Sequence, residues 1–166
     1  MSFIYKSKRV GKGGRIFDLY KIRTLRENID RTSSFANKEQ YTRFGRFLRK
    51  TKFDELPQFW NIIKRDMSFF GPRAEEERTI AVLPEDMKEV LLSVRPGLVD
   101  LSSLHFFYEG QILEKSADPH RDYWTKIRPL KFVLQVFYIE NRCWLLNLAL
   151  LYLTAKKILW ALITRK

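Results

Sequence analysis

A helix-dominated α+β fold with little sheet follows from three features of the sequence. Residues 3–10 and 15–22 are short runs with partial alternation on either side of Gly11-Lys12-Gly13-Gly14, the pattern of a β-hairpin closed by a glycine turn. From residue 39 onward, apolar side chains recur mostly at spacings of three and four, the helical period. A length of 166 residues with 45% hydrophobic content suits one domain with a sizeable core. The expected architecture is a single domain spanning 1–166, with a small β-hairpin and surface amphipathic helices.

After the hairpin, residues 26–38 are polar and are expected to form a mobile loop. Tyr41, Phe44, Phe47 and Leu48 fall at helical spacing and predict a helix over 39–50. A second helix is predicted over about 55–64, with Leu56, Phe59, Trp60 and Ile63 forming its apolar face. Pro57 fits only in the first turn, where a backbone N–H has no partner anyway, so Asp54 is expected at or beside the N-cap. Gly71-Pro72 ends the next loop, Glu75 to Arg78 opens a helical stretch, 84–92 is a short helix, and Arg95-Pro96-Gly97 is a turn. Residues 99–107 read as a strand and 118–126 as a short helix. From 129 to about 163 the pattern suits one long helix or two, with Arg142 near the junction.

Net charge is +12 and unevenly spread: residues 1–53 hold 15 Lys/Arg against 4 Asp/Glu, which implies an anionic partner. Cys143 is the only cysteine, excluding an internal disulfide or a thiolate-rich metal site. The apolar run 143–153 is shorter than the roughly 20 residues a spanning helix needs, so core packing and contact with a membrane surface both remain open. Trp144, Tyr152, Trp160 and Lys156-Lys157 suit a headgroup-level position.

The chemistry concentrates in RKTKFDELPQFWNIIKRDMSFFGPR, residues 49–73. Asp54-Glu55 could simply cap a helix, because both residue types are favoured at a helix start. Yet Arg49, Lys50 and Lys52 precede the pair and Arg73 follows, all able to converge on anionic groups at a helix N-terminus. One carboxylate can act as a nucleophile toward phosphorus while its neighbour holds Mg²⁺ among phosphate oxygens.

This run closely resembles the signature of the bacterial sugar transferases, the monotopic phosphoglycosyl transferases. KRVGKGGRIFDLYKIRTL, RPGLVDLSSL, ADPHRDYW and FYIENRCWLLNL extend the resemblance over about residues 3–163. It implies transfer of a phosphosugar from a UDP-sugar to polyprenol (undecaprenyl) phosphate, initiating exopolysaccharide, O-antigen or glycoprotein glycan assembly. Asp54 is then the nucleophile of a covalent phosphosugar intermediate, and Glu55 the catalytic partner and Mg²⁺ ligand. Lys21, Gln58, Arg49, Arg73 and Arg95 are expected to bind substrate phosphate. The implied setting is the cytoplasmic face of the bacterial inner membrane, peripheral or monotopic.

The chain departs from that pattern in places. Relatives begin with a hydrophobic re-entrant segment, and MSFIYKSKRVG stands where it would end. That leaves open a truncated reading frame, a separate membrane-anchor chain, or a non-catalytic homologue, peripheral to the membrane, that binds nucleotide-sugar or a partner chain. Ala74 replaces a proline of the signature and Arg65 a glycine, and Gln135 and Asn147 stand where acids are common. His105 and His120 lie in different elements without cysteine partners, so a zinc site is not expected. Asp18, Asp66 and Asp100 read as turn or capping acids, and Glu75 to Glu77 as a solvated helix start. No recognised nucleic-acid module is present, and nucleic acid is not an expected partner.

Overall fold

The structure, a computed structural model, describes residues 3–25 and 40–163; the loop expected over 26–38 lies outside them. The hairpin forms as predicted: β1 (Ile4–Val10) and β2 (Ile16–Ile22) pair antiparallel, with Ile4 opposite Ile22 and Val10 opposite Ile16. Alternate residues of β2, Phe17 and Leu19, face inward onto Met67 and Ala74.

Helix α1 (Arg43–Thr51) begins later than predicted because Thr42 Oγ1 accepts a hydrogen bond from Gly45 N at 2.8 Å and caps it. Gly45 rides against Thr24, where a Cβ would come within 2.1 Å of the Thr24 carbonyl oxygen, so only glycine fits. The helix stops at Lys52, whose left-handed backbone (φ 60°) turns the chain into a tight 3₁₀ turn, Phe53–Glu55.

Helix α2 (Gln58–Ile63) is shorter than the predicted 55–64, and its N-cap is Pro57. Asp54 is therefore not the cap. The orientation of α2 inverts the usual arrangement: Gln58 and Asn61 are buried, whereas Leu56, Phe59, Trp60 and Ile63 are exposed.

Strands β3 (Ser68–Phe70) and β4 (Gly97–Val99) form a short parallel pair, joined through α3 (Glu77–Ala81) and α4 (Glu85–Leu92). At their mouth a Cβ on Gly97 would lie 2.1 Å from Gly71 N, so the glycines of the GPR and RPG triplets permit this approach. The strand expected over 99–107 ends at Val99. Asp100 instead caps α5 (Leu101–His105), its Oδ2 accepting from Ser103 N at 2.8 Å and also from Ser102 Oγ. The Asp-x-Ser-Ser stretch supplies its own local partners, which favours a helix start over a ladder.

Helices α6 (Glu109–Glu114) and α7 (Pro119–Asp122) follow, and α7 is capped by Asp118. A π turn, Tyr123–Ile127, runs directly into α8 (Arg128–Asn141). Pro129 has no N–H for an i–4 bond, which accounts for a widened turn at this point. The next helix, α9 (Trp144–Ile163), is separate, so of the two alternatives the two-helix one holds, broken at Arg142.

Leu150 of α9 packs with Val99, Leu104 and Tyr138, while Phe132 of α8 packs with Leu83 and Leu91. The remainder of α9 is mostly unburied, and it is long and apolar enough to cross a membrane by length and composition. Lys157 faces the protein, donating to the Leu104 carbonyl at 2.6 Å.

The glutamates at 75–77 are not a solvated helix start. Glu75 is buried, its Oε1 accepting from Arg128 Nη1 at 2.7 Å and Gln135 Nε2 at 3.3 Å. Glu76 pairs with Arg9 at 3.1 Å, and only Glu77 belongs to α3. A buried carboxylate is retained here because a buried guanidinium meets it.

Candidate active site

Three elements bring the acid pair and its cations together. The 3₁₀ turn carries Asp54 and Glu55, both 7% exposed. Strand β2 supplies Lys21, and the segment after β3 supplies Arg73. Asn61, wholly buried, locks α2 onto β2: its Nδ2 donates to the Asp18 carbonyl at 2.7 Å and its Oδ1 accepts from Tyr20 N at 3.2 Å. That clamp fixes Lys21, the next residue, opposite the acid pair.

Glu55 Oε1 accepts from Arg73 Nη2 at 2.9 Å and from Lys21 Nζ at 3.2 Å. Burial acts to raise its pKa, but Arg73, Lys21 and Lys52 together hold it well below the usual carboxylate range. Arg73 is correspondingly raised by Glu55, and its Nη1 donates to Ser103 Oγ at 3.3 Å. Lys21 is pulled down to about 8 by burial, against the opposing pull of Glu55. Lys52 is lowered, again chiefly by burial.

Asp54 differs from its neighbour. Burial raises its pKa against the pull of Lys21, Arg49 and Lys52, with Glu55 adding to the rise. Its Oδ1 is enclosed and has no hydrogen-bond partner among the described residues, and neither has Gln58 Nε2 one helical turn on. An acceptor and a donor left unpaired this close to the cations are free for a polar ligand to satisfy. Arg49 is near enough to act on Asp54, but its guanidinium donates to Tyr41 OH and lies over the Tyr41 ring.

Beside the pair opens a cavity of about 230 Å³. Glu55, Arg73 and Ser103 form its polar end, and Phe53, Phe69 and Leu104 belong to its apolar wall. Asp100, nearly inaccessible, also lines it, and burial raises its pKa.

Of the residues singled out in the sequence, Lys21, Glu55 and Arg73 are in direct contact, with Asp54, Gln58 and Arg49 around them. Arg95 stands apart, lining a different cleft with Lys12 and Arg142. Sequence reasoning gave no role to Asn61 or Ser103. Gln58 and Asn61 share one face of α2 at a spacing of three, a polar stripe opposite the apolar one, and that stripe was the available signal. Among the described residues no three His, Cys, Asp or Glu gather to hold a metal ion. The histidines lie exposed, and Cys143 is free.

Residues 1–161 match the sequence profile of the family described as bacterial sugar transferase. A putative undecaprenyl-phosphate N-acetylgalactosaminyl 1-phosphate transferase of Bacillus subtilis (strain 168) is 47% identical over 75 residues, 43% of this chain and 42% of that protein. A UDP-N-acetylgalactosamine-undecaprenyl-phosphate N-acetylgalactosaminephosphotransferase of Aeromonas hydrophila is 30% identical over 161 residues, 94% of this chain and 35% of the relative. The uncharacterized sugar transferase EpsL of Bacillus subtilis is 31% identical over 163 residues, covering 93% of this chain and 69% of EpsL. The chain thus spans less than half the length of the first two relatives. With nearly its whole length matched, the chain belongs to the bacterial sugar transferase family.

Proposed function

We propose that this chain transfers a phosphosugar from a UDP-sugar to a polyprenol phosphate, with Asp54 as nucleophile. One observation carries the reading: Asp54 is buried beside Glu55, whose Oε1 accepts from two cations, yet Asp54 Oδ1 accepts no hydrogen bond from the described residues. A carboxylate whose charge is not spent on internal donors is suited to attack. In the first step an Asp54 oxygen bonds to the sugar-bearing phosphorus, the bond to the neighbouring phosphate breaks, and UMP leaves with the electron pair. An oxygen of polyprenol phosphate then bonds to the same phosphorus, displacing Asp54 and releasing the polyprenyl diphosphate sugar. Lys21, Arg73 and Arg49 would offset the charge of the diphosphate and of the departing phosphate.

The pair also fits Mg²⁺, which takes one or two carboxylates and completes its shell with phosphate oxygens and water. Glu55, with Asp54 beside it, would hold the ion, and the chemistry it supplies is neutralisation of diphosphate charge. The apolar wall of the cavity suits the isoprenoid end of the acceptor. Phe44 and Phe47 of α1 and Leu56, Phe59, Trp60 and Ile63 are exposed, as expected if this surface lies on a membrane at its cytoplasmic face.

The test is UMP release from UDP-N-acetylgalactosamine, UDP-galactose or UDP-glucose, with Mg²⁺ and undecaprenyl phosphate in membranes. Release should depend on the acceptor for turnover, and Asp54→Asn should lower it by at least about a thousandfold. Release by the Asn variant at the parent rate would remove Asp54 from the role; no release with any donor would sink the transferase reading.

A further inference from the structure

A second concave site lies at the corner between α8 and α9, with a volume of about 650 Å³. Three cations from three separate parts of the chain line it: Lys12 from the hairpin turn, Arg95 ahead of β4, and Arg142 between the two helices. No aspartate or glutamate is in the lining, and none of the three cations has a salt-bridge partner among the described residues. This reverses the situation around Asp54, where Glu55 answers the cations from within the protein. Three like charges brought to one cleft without a counter-charge are mutually repulsive, and a bound anion relieves that repulsion.

The surroundings say which anion. Trp144, on the rim, is 73% exposed, and from it runs α9, with Leu145, Leu148 and Tyr152 also exposed. The cleft therefore joins a cationic pocket to the amino end of a long apolar helix face, with an indole between them, the order met from headgroup to acyl region of a bilayer. The positive end of the α9 dipole adds to the cations. Asn147, whose Oδ1 accepts from Tyr138 OH, supplies an amide nitrogen for the remaining phosphate or glycerol oxygens.

We propose that this cleft binds the phosphate of an anionic phospholipid headgroup, with the acyl chains lying along α9. The site goes beyond the transfer reaction and is read without measuring transfer.

Flotation of the full chain with phosphatidylcholine vesicles, with and without about one-third phosphatidylglycerol, tests it. Arg95→Gln with Arg142→Gln should weaken the phosphatidylglycerol-dependent part of binding roughly tenfold or more, since each cation at an anionic surface contributes about a factor of five. Binding to phosphatidylcholine alone should be unchanged. The control carries the same loss of charge elsewhere, Lys115→Gln with Arg121→Gln, and should keep the lipid preference. Equal losses in test and control would mean diffuse attraction and overturn the site. Displacement of the parent chain, but not the Arg95/Arg142 variant, by millimolar UMP or inorganic phosphate would assign the cleft to soluble phosphate and also overturn it. Asp54→Asn should bind the vesicles as the parent does, so failed transfer and failed lipid binding remain distinguishable. All four substituted cations are exposed, so none of the changes disturbs the core.

Discussion

Arg65 shows how a single residue can work against its backbone. It adopts φ 64°, a left-handed conformation that suits glycine, at the position where the signature has glycine. Its side chain is exposed, so nothing is lost by removing it. Arg65→Gly should raise stability by about 0.5–1 kcal/mol, read as a higher urea midpoint at unchanged slope. Lys21 gives a second prediction at this scale. Its folded pKa of about 8 lies below the ordinary 10.5, so the native state binds fewer protons than the unfolded one between those values. Raising pH across that window therefore favours the fold through this group. It also discharges a cation that offsets the diphosphate, so UMP release should fall as pH rises through about 8 while the thermal midpoint gains from the same group. Lys21→Arg should move the activity limb to higher pH. Asp54 follows the same logic with opposite sign. Its pKa is raised, so its ionisation at neutral pH opposes folding, and Asp54→Asn should melt higher than the parent even as it loses transfer.

Among the elements, α2 explains most of what the sequence could and could not reveal. Its apolar periodicity marked a helix correctly, but periodicity does not say which face is buried. Here the polar face is inward because Asn61 satisfies two backbone groups of β2. Asn61→Ala would strand both, so it should cost about 2–4 kcal/mol in denaturant unfolding and lower transfer by releasing Lys21. The hairpin and the short helix over 84–92 were legible because turn residues and spacing agreed. The strand read over 99–107 was not, because Asp100, Ser102 and Ser103 supply a local cap that outweighs alternation. Likewise Pro57 and the capping preference of aspartate put Asp54 at or beside an N-cap, whereas the left-handed Lys52 places it in the preceding 3₁₀ turn. Lys21, Glu55 and Arg73, far apart in the sequence, meet in the fold, whereas Arg95 lines another cleft.

Across the whole molecule, the ion pair of Glu75 and Arg128 joins segments 53 residues apart. Arg128 is 2% exposed and lies over the Phe132 ring, centred 3.9 Å away. Arg128→Met should cost about 3–5 kcal/mol because it leaves a buried carboxylate unmatched, and adding Glu75→Gln should restore much of the loss. Burial acts to raise the Glu75 pKa, yet Arg128, with Lys131 and Gln135, holds it below the ordinary range. Its contribution is therefore present above the ordinary glutamate pKa and is lost as pH falls through the folded value. The Glu75→Gln protein should accordingly show a shallower decline in thermal midpoint under acid than the parent.

The segment containing these residues has a consequence for how the chain can vary in length. Four successive side chains, 73 to 76, are committed to four different places: Arg73 to Glu55, Ala74 to the packing of Phe17 and Met67, Glu75 to Arg128, and Glu76 to Arg9. Deleting Ala74 would either draw the charged Glu75 into the apolar station beside Phe17 and Met67 or pull Arg73 into it and away from Glu55. Substitutions here each disturb one partner, but a shift of one residue displaces several side chains together. The segment behaves as a short reading frame, tolerant of spelling changes and closed to insertion or deletion.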